Sequence, residues 1–211
     1  MAKVIYPPRP KGAIPPRELD YYEKQGIWCV QYKYNGARCV IHIEGNDVQM
    51  IDRHGSQHRS YTLPKSTRNQ FLALPGLDKS KEYWLDGELL IKTSATDTKE
   101  KIVLFDVLQA GSYLFLGPNQ MGRLALLDEI CGKPKQLDTM REMSYVVSED
   151  ILMAPTFEKD FTLHFNEKIQ YDECEGLVLR RKDSSLDNFG TKEYECSWIV
   201  RCRKPHKNYN F

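Results

Sequence analysis

Hydrophobic and polar positions along the chain fall into short runs rather than long stripes. Trp28 to Lys33 is apolar with polar insertions, and Arg38 to Glu44 is rich in Val, Ile and Cys. Runs of β-branched and aromatic residues of this length predict strands. Turn residues punctuate them: Asn35-Gly36 follows the first run, Gly45-Asn46-Asp47 the second, and Val48 to Asp52 returns. The spacing predicts a meander of short strands joined by tight turns. Further strands are expected over Tyr83–Ile91, Lys101–Gln109, Tyr145–Val147, Gly176–Arg180 and Trp198–Arg203. Helices are expected over Thr67–Leu74, stopped by Pro75, over Arg123–Cys131, ended by Gly132, and over Glu158–Gln170. Pro7, Pro8, Pro10, Pro15 and Pro16 make residues 5–16 an extended arm that cannot be helical. No repeat recurs and strands do not alternate with helices as βαβ units. The expected fold class is therefore α+β, with largely antiparallel sheets flanked by helices, in one domain over residues 1–211.

Charge changes this picture little. The 30 Lys and Arg residues nearly cancel 29 Asp and Glu, for a formal net charge of +1. Whole-chain electrostatics therefore do not announce a nucleic-acid binder. A local basic face remains in Arg201, Arg203, Lys204, His206 and Lys207, although a solvated chain end reads the same way. The 6 cysteines include no CxxC pair, and several lie in strand-like runs where Cys packs as a small hydrophobe. A reducing, cytoplasmic setting without disulfides is expected. The N-terminus has no apolar signal core, and no apolar run approaches the ~20 residues that span a bilayer. No GxxxxGK[ST] loop is present, so any ATP chemistry must use another device.

Candidate chemistry begins at Gln31-Tyr32-Lys33-Tyr34-Asn35-Gly36-Ala37-Arg38. A lysine closes a strand, a tight turn follows, and an arginine opens the next strand. Alone, this is a hairpin with a charged neighbour. A lysine amine also becomes a nucleophile when burial or nearby cations favour its neutral form, and Arg38 is such a cation. Leu85-Asp86-Gly87-Glu88-Leu89 places two carboxylates at a turn inside an apolar strand, where a charge needs a partner or a metal. Phe105-Asp106 sets an aromatic beside a carboxylate, with a core position as the plainer reading for Phe105. Glu175 precedes the apolar run Gly176 to Leu179. Arg201 and Arg203 share one strand face at a period of two, making a clamp for phosphate oxygens.

Each signal is weak alone; their order is specific. Lys33-Tyr34-Asn35-Gly36-Ala37-Arg38, Asp86-Gly87-Glu88, Phe105-Asp106, Glu175-Gly176-Leu177-Val178 and the paired arginines resemble the covalent nucleotidyltransferase superfamily of ATP-dependent DNA ligases, RNA ligases and capping enzymes, over roughly Trp28 to Pro205. The resemblance implies an ATP-grasp-like adenylation domain. In it, Lys33 attacks the α-phosphate of ATP and carries AMP, and Gln31 and Tyr32 contact the nucleotide. Arg38 lies near the ribose or a nucleic-acid 5′-phosphate, and Arg53 is the arginine after the first hairpin. Phe105 stacks on adenine, Glu88 faces the ribose and helps bind metal, Glu175 binds the catalytic metal, and Arg201 and Arg203 contact the α-phosphate. Mg²⁺ or Mn²⁺ is the implied metal. Gln31 stands where many ligases carry Glu, Asn35 where Asp is commoner, and the two arginines where lysines are more frequent. The implied function is sealing of 5′-phosphate/3′-OH nicks, with DNA favoured by the Asp-Gly-Glu and Phe-Asp-Val-Leu segments. RNA end joining is the alternative, and a non-catalytic nucleotide-binding module the contrasting class. The expected partner is a nicked DNA or RNA duplex, held by a monomer without a membrane. A minimal core without a C-terminal OB-fold is expected, so Arg38, Arg53, Arg59, Lys65, Arg68 and the basic tail would hold the strand.

Overall fold

The computed structural model describes residues 5–58, 61–91, 99–111, 113–114, 119–138, 141–186 and 193–205; Arg59, His206 and Lys207 lie outside them. Two sheets form the frame. The smaller contains β1 (Arg9–Ile14), β11 (Glu195–Arg203), β10 (Cys174–Arg181) and β2 (Trp28–Tyr34), hydrogen-bonded in that order. The larger runs β4 (Asp47–Asp52), β3 (Ala37–Glu44), β5 (Glu82–Leu89), β6 (Ile102–Ala110), β9 (Ile151–Met153), β8 (Tyr145–Val146), with β7 (Tyr113–Leu114) paired to β6. Pairing is antiparallel except for β1 with β11 and β6 with β9. Four α-helices among the described residues pack on these sheets: α1 (Leu19–Lys24), α2 (Lys65–Leu72), α3 (Gln120–Ile130) and α4 (Phe161–Lys168). The α+β, antiparallel-rich class read from the sequence is the class observed.

Four local expectations need correction. The Asn35-Gly36 turn does not close a hairpin. β2 pairs with β10 whereas β3 pairs with β4 and β5, so the turn carries the chain from one sheet to the other. Asn35 anchors this crossing, its backbone N–H donating to Glu173 O (2.8 Å) and its side-chain amide to Asp172 O (3.0 Å). A Cβ on Gly36 would overlap Leu89 O and Glu88 Cγ, so only glycine lets the crossing pass so close to β5. Second, Asp86-Gly87-Glu88 is not a turn: β5 runs straight through it, and its pairing with β6 slips between Asp86 and Gly87. Third, the proline-rich arm is not extended over all of 5–16: residues 9–14 join a sheet as the parallel partner of β11, and Pro16 opens a short 3-10 helix, Pro16–Glu18, because proline's fixed φ suits a first helical position. Fourth, the helix expected over Glu158–Gln170 shrinks to Phe161–Lys168 because Asp160 has φ 60°, outside helical space. Helix α3 begins at Gln120 because Asn119 caps it, accepting the Gly122 N–H at 2.9 Å.

Two apolar clusters hold the layers together. In one, Ile41, Ile43, Leu85 and Leu104 of the larger sheet pack with Phe71 of α2 and Leu127 and Ile130 of α3. In the other, Val30, Tyr32, Leu177 and Leu179 of the smaller sheet meet Leu19 of α1, Phe161 and Phe165 of α4, and Val103 and Leu152 of the larger sheet. The second cluster contains residues of both sheets, and it fixes the spacing of the cleft between them. All six cysteines are buried free thiols, as expected of small apolar fillers. No helix among the described residues is long and apolar enough to cross a membrane.

Candidate active site

Strand registers bring the candidate residues together. Across β2, β10 and β11, Gln31, Val178 and Arg201 lie in one row, and Lys33, Gly176 and Arg203 in the next. Period-two alternation keeps each strand's pair on one face. Gly176 contributes no side chain to its row, and the pairing of β10 with β2 slips between Cys174 and Gly176. The Glu175 carboxylate occupies this gap, 2.6 Å from Lys33 Nζ and 3.5 Å from Arg203 Nε. Gly176 itself has φ 139°, and a Cβ there would overlap Cys202 O. Across the cleft, β3 and β5 place Arg38 opposite Glu88.

These residues line a cleft of about 600 Å³ whose walls include Gln31, Tyr32, Lys33, Arg38, Arg53, Glu88, Phe105, Glu175, Arg201 and Arg203. Every residue singled out from the sequence for the nucleophile, nucleotide and metal roles therefore reaches one cavity, whereas Lys65, Arg68 and Lys204, expected to hold the strand, do not line it. Glu88 stands in it with its carboxyl pushed up to about 7: burial raises it most, Lys33 and Arg38 draw it down, and Glu175 and Asp86 add like-charge repulsion. Gln31 is only 2% exposed. Its amide nitrogen donates to Phe105 O and to Thr156 Oγ1, both at 3.2 Å, and its carbonyl oxygen has no partner among the described residues. An acceptor thus remains free on the cleft wall, fixed by two donations from its own side chain. Phe105 is half-buried, with the guanidinium carbons of Arg38 and Arg180 at 5.5 and 5.4 Å from its ring centre.

Arg38 is less free than the sequence implies. Its guanidinium forks onto the fully buried Asp86, Nε donating at 2.9 Å, and Nη1 donates to Pro8 O at 2.9 Å. Beneath the cleft, Asp106 takes Arg123 Nε at 2.9 Å and Arg180 Nη1 at 3.3 Å. Burial works to raise the Asp106 carboxyl, but Arg123 and Arg180 more than offset it and hold it below the usual carboxylate range. Sequence reading gave Asp86, Asp106, Arg123 and Arg180 no role. The rule applied to Glu88, that a charge inside an apolar strand must find a partner, also flags Arg180 after Leu177-Val178-Leu179. Arg9, His54 and His58 were missed as well, although all three line the cleft; their only signal was cationic type next to residues already chosen.

No group of three or more His, Cys, Asp or Glu side chains among the described residues could hold a metal. Glu88 and Glu175 nevertheless share the cleft closely enough to repel, and two carboxylates suffice for a Mg²⁺ site completed by substrate phosphates.

Comparison with known proteins bears on the fold and the family. A mycobacterial DNA ligase D complexed with ATP and MES matches with a TM-score of 0.55 at 17% identity, covering 83% of this chain and 54% of that chain. The ATP-dependent DNA ligase of bacteriophage T7, in complex with ATP, matches with a TM-score of 0.55 at 10% identity, over 91% of this chain and 67% of that one. A Lig E DNA ligase matches with a TM-score of 0.52 at 13% identity, over 97% and 70%. The chain spans about half the length of the DNA ligase D structures, 54% and 53%. At such identities the likeness shows the fold, which is that of ligase nucleotidyltransferase domains. No curated protein matches the chain. The family model for RNA ligase matches residues 26–194, the segment that supplies Lys33, Glu88, Phe105 and Glu175, and the chain belongs to the RNA ligase family.

Proposed function

We propose that this chain is the adenylating core of an ATP-dependent polynucleotide ligase, with Lys33 as the nucleophile. The observation that carries the reading is the Lys33 amine in a cleft with Glu175 at 2.6 Å, Glu88 on the opposite wall, Arg203 in its own row and Arg201 in the next. Nζ must leave its ion pair and lose a proton before it attacks. Attack on the α-phosphorus forms an N–P bond, breaks the bond to the bridging oxygen, and expels pyrophosphate in line. In this reading Arg201 and Arg203 would neutralise the phosphate, Phe105 would stack on the base, and the Gln31 oxygen would accept the adenine amino group. Glu88 and Glu175 would hold a divalent cation, which supplies Lewis-acid neutralisation of the phosphates. The adenylate then passes to a 5′-phosphate, and the 3′-hydroxyl displaces AMP to join the strands.

Either RNA ends or a DNA nick is compatible with membership of the family. The DNA nick is the leading reading, favoured by the Asp86-Gly87-Glu88 and Phe105-Asp106-Val107-Leu108 segments, and RNA end joining is the alternative. Incubation with α-labelled ATP and Mg²⁺ should give a covalent AMP adduct that Lys33→Ala abolishes. Persistence of the label in that variant sinks the assignment of Lys33. Sealing assays with nicked RNA, DNA and mixed duplexes then separate the two readings, and a chain that neither takes AMP nor seals is a binding module.

A further inference from the structure

The loop between α4 and β10, residues 169–173, supplies none of the cleft's lining, yet it is bonded to the chain on both sides of the Lys33–Glu175 pair. Asn35, two residues after Lys33, donates its N–H to Glu173 O and its side-chain amide to Asp172 O. Cys174, the residue before Glu175, donates its N–H to Tyr171 O at 3.2 Å. Lys204 is the third fastening. Its Nζ donates to Ile169 O at 3.2 Å and to Tyr171 O at 3.4 Å, while its main-chain N–H donates to Glu175 O at 2.8 Å. Lys204 directly follows Arg203, whose Nε faces the Glu175 carboxylate. One residue thus reaches the loop through its side chain and Glu175 through its backbone.

We infer that Lys204 is a positioning residue for AMP transfer, holding this loop so that Lys33 and Glu175 stay in register, and that it is not a contact for the joined strand. The loop needs a cation at this point. Ile169 ends α4, where carbonyls lack intrahelical donors and the helix dipole is negative. Two carbonyls converge there, and one ammonium has donors for both. Lys168 does not take this place: its Nζ donates to Arg141 O at 2.9 Å and lies 3.9 Å from the Glu142 carboxylate. Lys204 is also set apart from the paired arginines. Arg201 and Arg203 line the cleft, whereas Lys204 is half-buried outside it with its amine turned to protein carbonyls. Without the ammonium, Ile169 O and Tyr171 O lose a donor, and the loop loosens where it fixes Asn35. Lys33 then spends less time in line with its target, and a misplacement of about 1 Å at a reacting group can cost on the order of 100-fold in rate. The inference rests on the reading of Lys33 as the group that takes AMP.

Lys204→Met keeps the apolar stem and removes the ammonium. In single-turnover reactions of the full chain, its maximal rate of AMP transfer should fall about tenfold, the change expected for one charge-assisted hydrogen bond. The half-saturating ATP concentration should move by less than about twofold, because no contact to the nucleotide is removed. Lys204→Arg, which retains charge and donors, should recover most of the rate. Amide exchange followed by NMR should be about tenfold faster at Asn35 in Lys204→Met than in the parent. The salt slope of duplex binding should stay as in the parent, where loss of a strand-contacting lysine would reduce it by roughly 0.9. A folded Lys204→Met with the parent's rate, a loss carried wholly by ATP affinity, or a slope reduced by one contact overturns the inference. Should Lys204→Met not fold, Lys204→Gln, with one donor on a shorter stem, takes its place, with a smaller loss in the same direction and the same opposing outcomes. A parent chain that takes no AMP removes the ligase reading instead. Asn35 exchange then decides alone: faster exchange in the variant retains the link from Lys204 to the Lys33 crossing, and unchanged exchange ends it.

Discussion

Glu88 illustrates how much the site asks of single residues. Its carboxyl is pushed from 4.5 to about 7, chiefly by burial. An acid whose folded value lies above its unfolded one stabilises the fold fully below the unfolded value, and that contribution is lost as pH rises through the folded one. Metal-free protein should therefore lose stability between about pH 4.5 and pH 7. Glu88→Gln removes the titration. It should be more stable than the parent at pH 8 by about 1–3 kcal/mol, a gain of several degrees in Tm for a chain of this size. Thermal unfolding at pH 5 and pH 8 in chelating buffer checks this, and a variant no more stable at pH 8 would count against a strained carboxylate. The same variant should lose AMP transfer, since a group retained at a cost to stability is retained for function. Lys33 and Glu175 show the complementary arrangement: their ion pair satisfies both charges at rest and must open for chemistry.

Among the elements, β10 does most to shape the site. The slip beside Gly176 turns Glu175 toward Lys33, and glycine is required because φ is 139° and Cys202 O fills the space of a Cβ. Gly176→Ala should destabilise by about 2–4 kcal/mol, combining backbone strain with a steric clash, and should lower AMP transfer further than the stability loss explains. Urea unfolding beside a single-turnover adenylation assay measures both; a stable, active Gly176→Ala protein would show that the slip is incidental. This element also marks how far the sequence could be read. The strand over Gly176–Arg180 was legible because its apolar run and alternation are local properties. The slip was not, because it is a relation between β10 and β2, which lie about 140 positions apart. Asn35-Gly36 misled for the same reason: turn chemistry specifies a reversal, but the partners of β2 and β3 decide whether the strands pair. The proline-rich arm was read as extended from fixed φ angles, which holds for residues 9–14 but not for Pro16, the first residue of a short helix. The arm's place beside β11 depends on a parallel register that no local pattern carries. The candidate residues that line the cleft were legible where they sit in ordered motifs. Arg9 and Arg180 were not, because their partners come from distant strands.

At the scale of the whole molecule, the two sheets are joined by apolar packing and by one buried group of charges. Asp106 of β6 accepts from Arg123 of α3 and Arg180 of β10, so a single carboxylate links helix, larger sheet and smaller sheet. Removing it leaves two guanidinium groups without their anion, and Asp106→Ala should destabilise by about 3–5 kcal/mol. Loss of under 1 kcal/mol in chemical unfolding would mean that apolar contacts alone fix the cleft. If the chain binds nucleic acid as proposed, binding should depend on this fixed cleft rather than on bulk charge, because the formal net charge is only +1. The described cations on the cleft walls include Arg9, Arg53, Arg201 and Arg203, some of them already facing carboxylates. Each phosphate contact adds roughly 0.9 to the log–log salt slope on duplex, so three to five contacts give a slope of about −3 to −5. A bound strand would be held mainly by its terminal phosphate in the cleft, and affinity should fall clearly when the nick lacks that phosphate. Fluorescence anisotropy of phosphorylated nicked, unphosphorylated nicked and intact duplexes from low to moderate salt measures both quantities. Equal affinity for all three, or a slope near −10, would require a broad basic surface in place of a cleft that recognises a strand end.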